Sequence, residues 1–209
     1  LLKAMILQMA ALHSYDELKL VVITKETAEG EWNFLRFLPH LWNDDKTVRL
    51  FAANADEIKE LSAYLERNVL VREDVENKNG DIVSPYYVVI ATDKTLMEKC
   101  QSVQKMLKYK NNAGFSLLIL ADELKELPKE TKLVACAGKE SAKVFDRNDT
   151  TGKATAFRVD DLSGISMRRI PCRYTAPPSP GIIMYINSGL RIRGSTSRKC
   201  TETRSARIT

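Results

Sequence analysis

Two carboxylates, Asp122 and Glu123, directly follow the apolar run FSLLILA. A strand ending in adjacent acids is the arrangement that holds Mg²⁺ and orients a water in nucleotide hydrolases. The same pattern arises wherever a strand runs into a helical turn, because acids favour the positive end of a helix. Triphosphate chemistry also needs a loop GxxxxGK[ST], whose backbone N–H groups cradle the phosphates. The stretch TTGKAT (150–155) carries a Gly-Lys pair, but Arg147 stands where the first glycine belongs and Ala154 replaces the Ser/Thr. It lies between two strand-like segments and reads as a turn. No phosphate loop is predicted within these residues, and no bound cofactor is expected in them.

Metal and nucleophile chemistry find little to work with. The cysteines are Cys100, Cys136, Cys172 and Cys200, and the histidines are His13 and His40. None of the cysteines forms a CxxC pair, which a structural zinc site usually requires. Four scattered thiols fit a reducing compartment better than a disulfide framework. Two histidines without a nucleophile elbow assemble no Ser/His/Asp group, so no catalytic residue is assigned. His13, at the end of a predicted helix, is placed to face the last carbonyls. His40, after Pro39, reads as a hydrogen-bonded structural residue.

The aromatic density of EWNFLRFLPHLWND (31–44) is the other conspicuous feature. Such a cluster anchors a partner in some proteins. In others it is a wedge that packs a helix and loop onto the domain, and that reading is preferred here. The candidate interaction or packing residues are Trp32, Phe37, Pro39, His40 and Trp42.

The elements that must position these residues follow from periodicity. Leu2, Met5, Met9 and Leu12 form one helical stripe, widened by Ile6 and Ala10, which predicts a buried helix. LKLVVIT (18–24) reads as a strand covered on both faces. Pro39 and WNDDK mark a loop, and VRLFAA (48–53) a second strand. Asn54 and Glu57 predict a capped helix whose buried face is Ile58, Leu61, Leu65 and Val69. Residues 73–84 read as an exposed loop. YYVVIAT (86–92) is a third strand, followed by one helix from Thr92 or Asp93 through Leu96, Cys100, Val103 and Leu107. FSLLILA (115–121) is a fourth. A short helical turn then stops at Pro128. KLVACA and AKVFD read as strands joined through Gly138, and TAFRV closes the body. Apolar strands alternating with amphipathic helices predict an α/β domain with a mainly parallel sheet flanked by helices.

Length and charge set the frame. The chain has 209 residues, 44% hydrophobic and 28% charged, which excludes a wholly disordered or collagen-like chain. No run approaches the ~20 apolar residues that span a membrane. No basic segment precedes an apolar one, so no signal peptide is expected, and a chain beginning at Leu1 is expected to be an internal piece of a longer one. The formal charge of +5 is unevenly placed. Residues 168–209 hold eight Arg and one Lys against Glu202 alone, a net +8, while residues 1–167 hold 23 basic and 26 acidic residues, a net −3. The expected organisation is therefore a domain over 1–167 and a basic, Pro- and Arg-rich tail over 168–209. The tail admits three readings: an arm for nucleic acid or anionic lipid, a disordered linker, or out-of-frame translation, which fits the abrupt Lys-to-Arg change best.

Particular strings also resemble a known family. LLKAMILQMAALHSYDELKLVVI is similar to the helix, His-Ser turn and strand that directly follow the phosphate loop in FtsK/SpoIIIE-type ATPases. WNFLRFLPHLWNDD, VRLFAANADEIKELSAYLE, PYYVVIATD, FSLLILADELKELPKE and FDRNDTTGKATAF resemble the membrane-anchored ATPase of type VII secretion, the EssC/EccC group, in its Gram-positive form. The matching region is the degenerate ATPase-like domain between the transmembrane helices and the first true ATPase module. The resemblance runs from Leu1 to about Met167 and stops at Arg168, where the family continues with an acidic, helical segment.

The resemblance implies a P-loop-NTPase-like (RecA/FtsK-like) fold lacking the phosphate loop, at the cytoplasmic face of the cell membrane. It implies a parent that binds ATP and Mg²⁺ in other modules, assembles as a homo-hexamer, and exports WXG-type helical proteins together with other secretion components. For this region it implies a non-catalytic coupling or scaffolding role whose immediate partners are neighbouring domains of the same chain. Two alternatives stand beside it. One is an ATP-binding domain whose phosphate loop lies upstream. The other is a DNA-translocating module of the wider FtsK type, although the net −3 charge of residues 1–167 predicts no nucleic-acid binding by them.

Overall fold

β-Branched and aromatic residues dominate the segments that pair, and their order in the sheet decides what covers them. A computed structural model describes residues 1–74, 84–109, 113–138, 142–159 and the backbone of 182–186. The strands are Leu18–Ile23 (β1), Phe51–Ala52 (β2), Tyr86–Ala91 (β3), Phe115–Ala121 (β4), Leu133–Ala137 (β5), Ala142–Asp146 (β6), Ala154–Phe157 (β7) and Ile182–Ile186 (β8). Their order in the sheet is β2-β1-β3-β4-β8-β5-β6-β7. The first four are parallel, and the rest join antiparallel. The α/β class with a flanked parallel sheet is as predicted. The antiparallel half was not, because alternation of side chains shows that a strand forms and not which way its neighbour runs. β8 comes from within 168–209, the stretch set apart by composition, and pairs between β4 and β5.

The helices are Leu2–Leu12 (α1), Ala55–Asn68 (α2), Lys94–Lys99 (α3) and Gln101–Leu107 (α4). Successive residues of a strand point to opposite faces, and the parallel half buries both. On one face Val21, Ile23, Val89, Ala91, Leu117 and Ile119 meet Ile58, Leu61 and Leu65 of α2 together with Met97, Val103 and Met106. On the other, Leu20, Val22, Val88, Ile90 and Leu118 meet Leu2 and Ile6 of α1 and Trp32, Phe34, Leu35 and Leu41. Each fully buried aliphatic side chain stabilises the fold by roughly 1.5–3 kcal/mol. The α2 face is the one predicted, Val69 included.

Three elements differ from expectation. The helix read from Asp93 to Leu107 breaks at Cys100, whose backbone is extended (φ −81°, ψ 101°). The cause lies in α2. Ser102 Oγ donates to the Ser62 carbonyl at 2.7 Å, and Ser102 N–H donates to Ser62 Oγ at 3.2 Å. These bonds hold α4 against α2 instead of letting it continue α3. The second strand is only Phe51–Ala52. The residues before it turn back on the preceding loop, with Leu50 N–H donating to the Leu41 carbonyl at 2.8 Å. Helix α1 is half-buried: Leu2 and Ile6 are covered, but Leu12 is 69% exposed. Most of the expected 73–84 loop, and the residues just after Gly138, lie outside the described residues.

Candidate functional site

Ligands of parallel α/β sheets bind beyond the carboxyl ends of the strands, so those ends are the first place to look. Thr24, just past β1, is fully buried. Thr92, just past β3, donates from its hydroxyl to Thr24 Oγ1 at 2.8 Å. Past β2, Asn54 Oδ1 accepts from the N–H groups of Asp56 (3.2 Å) and Glu57 (3.0 Å). The Glu57 carboxylate accepts from Ala53 N–H at 2.6 Å. Asn54 caps α2 as predicted, but the Glu57 carboxylate reaches the residue before the cap rather than the Asn54 N–H, so the predicted reciprocal box is not closed. Asp93 Oδ1 caps α3 through Leu96 N–H at 2.9 Å.

The acidic pair after β4 follows the same pattern. Residues Leu124–Glu126 form a short 3₁₀ turn. Glu126 Oε2 accepts from Asp122 N–H (3.2 Å) and Glu123 N–H (3.3 Å). The Glu123 carboxylate accepts from the Glu126 N–H and sits 2.6 Å from Lys125 Nζ. Of the two readings of Asp122 and Glu123, the geometry is that of a helical start. TTGKAT lies in the hairpin between β6 and β7, where Gly152 adopts φ +71°. Asp149 Oδ1 accepts from Thr151 N–H at 2.8 Å, and the Thr151 bonds hold this exposed carboxyl below its usual range.

The aromatic block divides. Trp32 is buried with its ring centroid 6.1 Å from that of Phe34, and Lys3 Nζ lies 5.7 Å over it. His40 is also buried; its Nε2 donates to the His13 carbonyl at 2.9 Å, tying the Pro39–Leu41 turn to the end of α1. Its Nδ1 is buried with no hydrogen-bond partner among the described residues. Phe37 is 67% exposed and Pro39 is exposed as well. Trp42 is half-buried and bridges to Arg49. Trp32 and His40 therefore pack, while Phe37 and Pro39 face outward. His13 caps α1 through its backbone N–H to the Met9 carbonyl (3.1 Å), and its side chain is exposed.

Sequence reasoning passed over a polar cluster near the amino ends of β1 and β3. Lys19 is 1% exposed and lies 2.8 Å from Asp44, which is 69% exposed. Tyr64 and Tyr87 hydroxyls meet at 3.0 Å, with the Arg72 guanidinium 5.2 Å over the Tyr87 ring. Burial, and then the bond to Tyr87, push the Tyr64 phenol above its usual range. One signal was available: a single cation inside LKLVVI must find a carboxylate if the strand is covered on both faces. Nothing in the spacing names Asp44 as that carboxylate. Among the described residues no group of three or more His, Cys, Asp or Glu could hold a metal, and no helix is long and apolar enough to cross a membrane.

The chain is 25% identical over 138 residues to the type VII secretion system protein EssC of Staphylococcus aureus (strain COL), a match covering 64% of this chain and 9% of that protein. The same figures hold for the MRSA252 strain. It is 25% identical over 119 residues to the ESX secretion system protein EccC of Geobacillus thermodenitrificans, covering 57% of this chain and 8% of that protein. The matches thus span less than a tenth of these relatives' length. No family model matches the chain, and no solved structure matches it. The chain is a distant, partial homologue of the type VII secretion proteins EssC and EccC.

Proposed function

We propose that this chain is a non-catalytic coupling and scaffolding domain of a type VII protein-secretion ATPase. In that reading it lies at the cytoplasmic face of the membrane, between the membrane segment and the active ATPase modules of a homo-hexamer. The domain transmits or braces motion generated by ATP hydrolysis in its neighbours and does not hydrolyse ATP itself. WXG-type proteins are the cargo of the whole machine.

One observation carries the reading. At the carboxyl edge of the parallel strands, the carboxylates of Glu57, Asp93, Glu123 and Glu126 hold the chain's own turns and helix starts. Glu123 is the clearest case: its carboxylate caps the turn after β4 and pairs with Lys125. A magnesium ion there would have to displace both interactions. This donor set does not fit a Mg–nucleotide, and no catalytic step is assigned to it.

Titration of the 209-residue chain with a fluorescent ATP analogue and Mg²⁺ tests this. The expected result is no saturable binding. Saturable binding abolished by Glu123→Gln would overturn the reading in favour of a nucleotide site. In a secreting bacterium, Phe37→Asp in the corresponding protein should reduce export while its ATP hydrolysis persists. Equal loss of both would count against a coupling role.

A further inference from the structure

The two edges of the sheet are finished differently. At one edge β2 is two residues long, and Trp42 bridges to Arg49 just before it. Among the described residues the other edge is β7, paired with β6 from Ala154↔Phe145 to Phe157↔Ala142 and last in the strand order. Ala154, Thr155 and Ala156 are exposed and Phe157 is half-buried. Alternate residues of an antiparallel strand turn their N–H and C=O groups to opposite sides, so half of β7 directs its backbone away from β6. Such edges are commonly guarded by a lysine within the strand, a proline or a bulge. The run ATAF has none of these. Its cations stand at the two ends instead: Lys153 before it and Arg158 after it, both exposed. Lys143, also exposed, lies opposite Ala156 on β6. Among the described residues the nearby acids are Asp146 and Asp149, which each accept a turn N–H, from Asn148 and Thr151, both at 2.8 Å. In the sequence Asp160 and Asp161 follow Arg158 after one residue and lie outside the described residues.

We propose that β7 is a docking edge for an extended acidic segment of another polypeptide, which adds as a strand beside it. Charge decides between occupants. A second copy pairing antiparallel through its own β7 would set Lys153 against the other copy's Arg158 at both ends. Parallel pairing would set like beside like. Like charges directly opposite destabilise a strand pair. A segment with carboxylates flanking a β-branched centre meets a cation at each end instead. Backbone hydrogen bonds then supply affinity, and the terminal cations fix register. This reading names a partner chemistry that the coupling role does not specify, and it stands or fails separately from that role.

The probe is a dye-labelled peptide, Glu-Val-Thr-Val-Thr-Glu, whose carboxylates are spaced as Lys153 and Arg158 are. It is titrated into the full 209-residue chain at low salt and followed by anisotropy. Exchange of the β7 amides is measured in parallel. Saturable binding is expected, with slowed exchange at those amides of Ala154–Phe157 that point away from β6. Replacing both Glu by Lys in the peptide should weaken binding about tenfold, the effect of two exposed charge pairs turned repulsive. N-methylation at alternate peptide residues should abolish it. The Lys153→Glu/Arg158→Glu variant should reverse the preference, binding the Lys peptide better. The charge-swapped peptide needs no altered protein, so the test survives a variant that fails to fold. Equal affinity for both peptides would overturn the proposal. So would protection elsewhere in the chain. Outward-facing amides of β7, those not bonded to β6, already protected in the free chain by self-association or by its own residues would also overturn it.

Discussion

β1 and β3 bury every residue, whereas β7, in the same sheet, buries none. The difference follows from how the strands are connected. Parallel neighbours need a crossover long enough to travel back across a face, so α2 and the paired α3 and α4 become cover for the strands they link. The Trp32 segment covers the opposite face in the same way. Antiparallel neighbours need only a hairpin, as between β6 and β7, and a hairpin brings no cover with it. Burial in this molecule tracks the connections more closely than the apolar content of the strands.

The largest test of that comparison removes cover from the parallel half. Trp32→Ala should cost about 3–5 kcal/mol in urea unfolding, whereas Phe37→Ala, five residues on but exposed, should stay within about 0.5 kcal/mol. Equal effects would mean that the block does not act as cover. Next is the buried cation. Asp44→Asn leaves Lys19 without its carboxylate inside a covered strand and should cost roughly 2 kcal/mol, less than for a fully buried pair because Asp44 is itself largely exposed. Adding Lys19→Met should recover most of that loss, which a double-mutant cycle would read directly. Asn54→Ala removes the cap of α2 and should cost about 1 kcal/mol, seen as a lower thermal midpoint. The smallest effect belongs to the antiparallel half: Val144→Ala, at a half-buried position of β6, should cost under about 1 kcal/mol. A loss rivalling that of Trp32→Ala would erase the contrast between the halves.

Much of the parallel half was legible in the sequence. The face of α2 and its cap at Asn54 were read residue by residue, because one helix supplies its own period and its own cap. The strands LKLVVI, YYVVIA and FSLLILA were equally plain. What escaped were features set by residues distant in the chain. The break at Cys100 depends on Ser62, 40 residues before Ser102, gripping the first turn of α4. The truncation of the second strand depends on Leu41 accepting the Leu50 N–H. At the candidate site the sequence left Asp122 and Glu123 with two readings, since a strand-plus-acid motif and a capped turn share the same letters. Only the position of Glu126 and Lys125 around them separated the two. In the sequence the aromatic residues of the block read as one wedge with His40 as a structural residue beside them, whereas burial sets Trp32 and His40 on one side and Phe37 and Pro39 on the other.

The position of β8 has a consequence for synthesis. β5, β6 and β7 emerge from the ribosome first, yet among the described residues they join the sheet at β4 through Ile182–Ile186. At the usual pace of about 5–20 residues per second, the three-stranded meander must wait seconds for the strand that seats it. Until that strand arrives, β4 ends the nascent sheet as an open border, and β5 offers a second one.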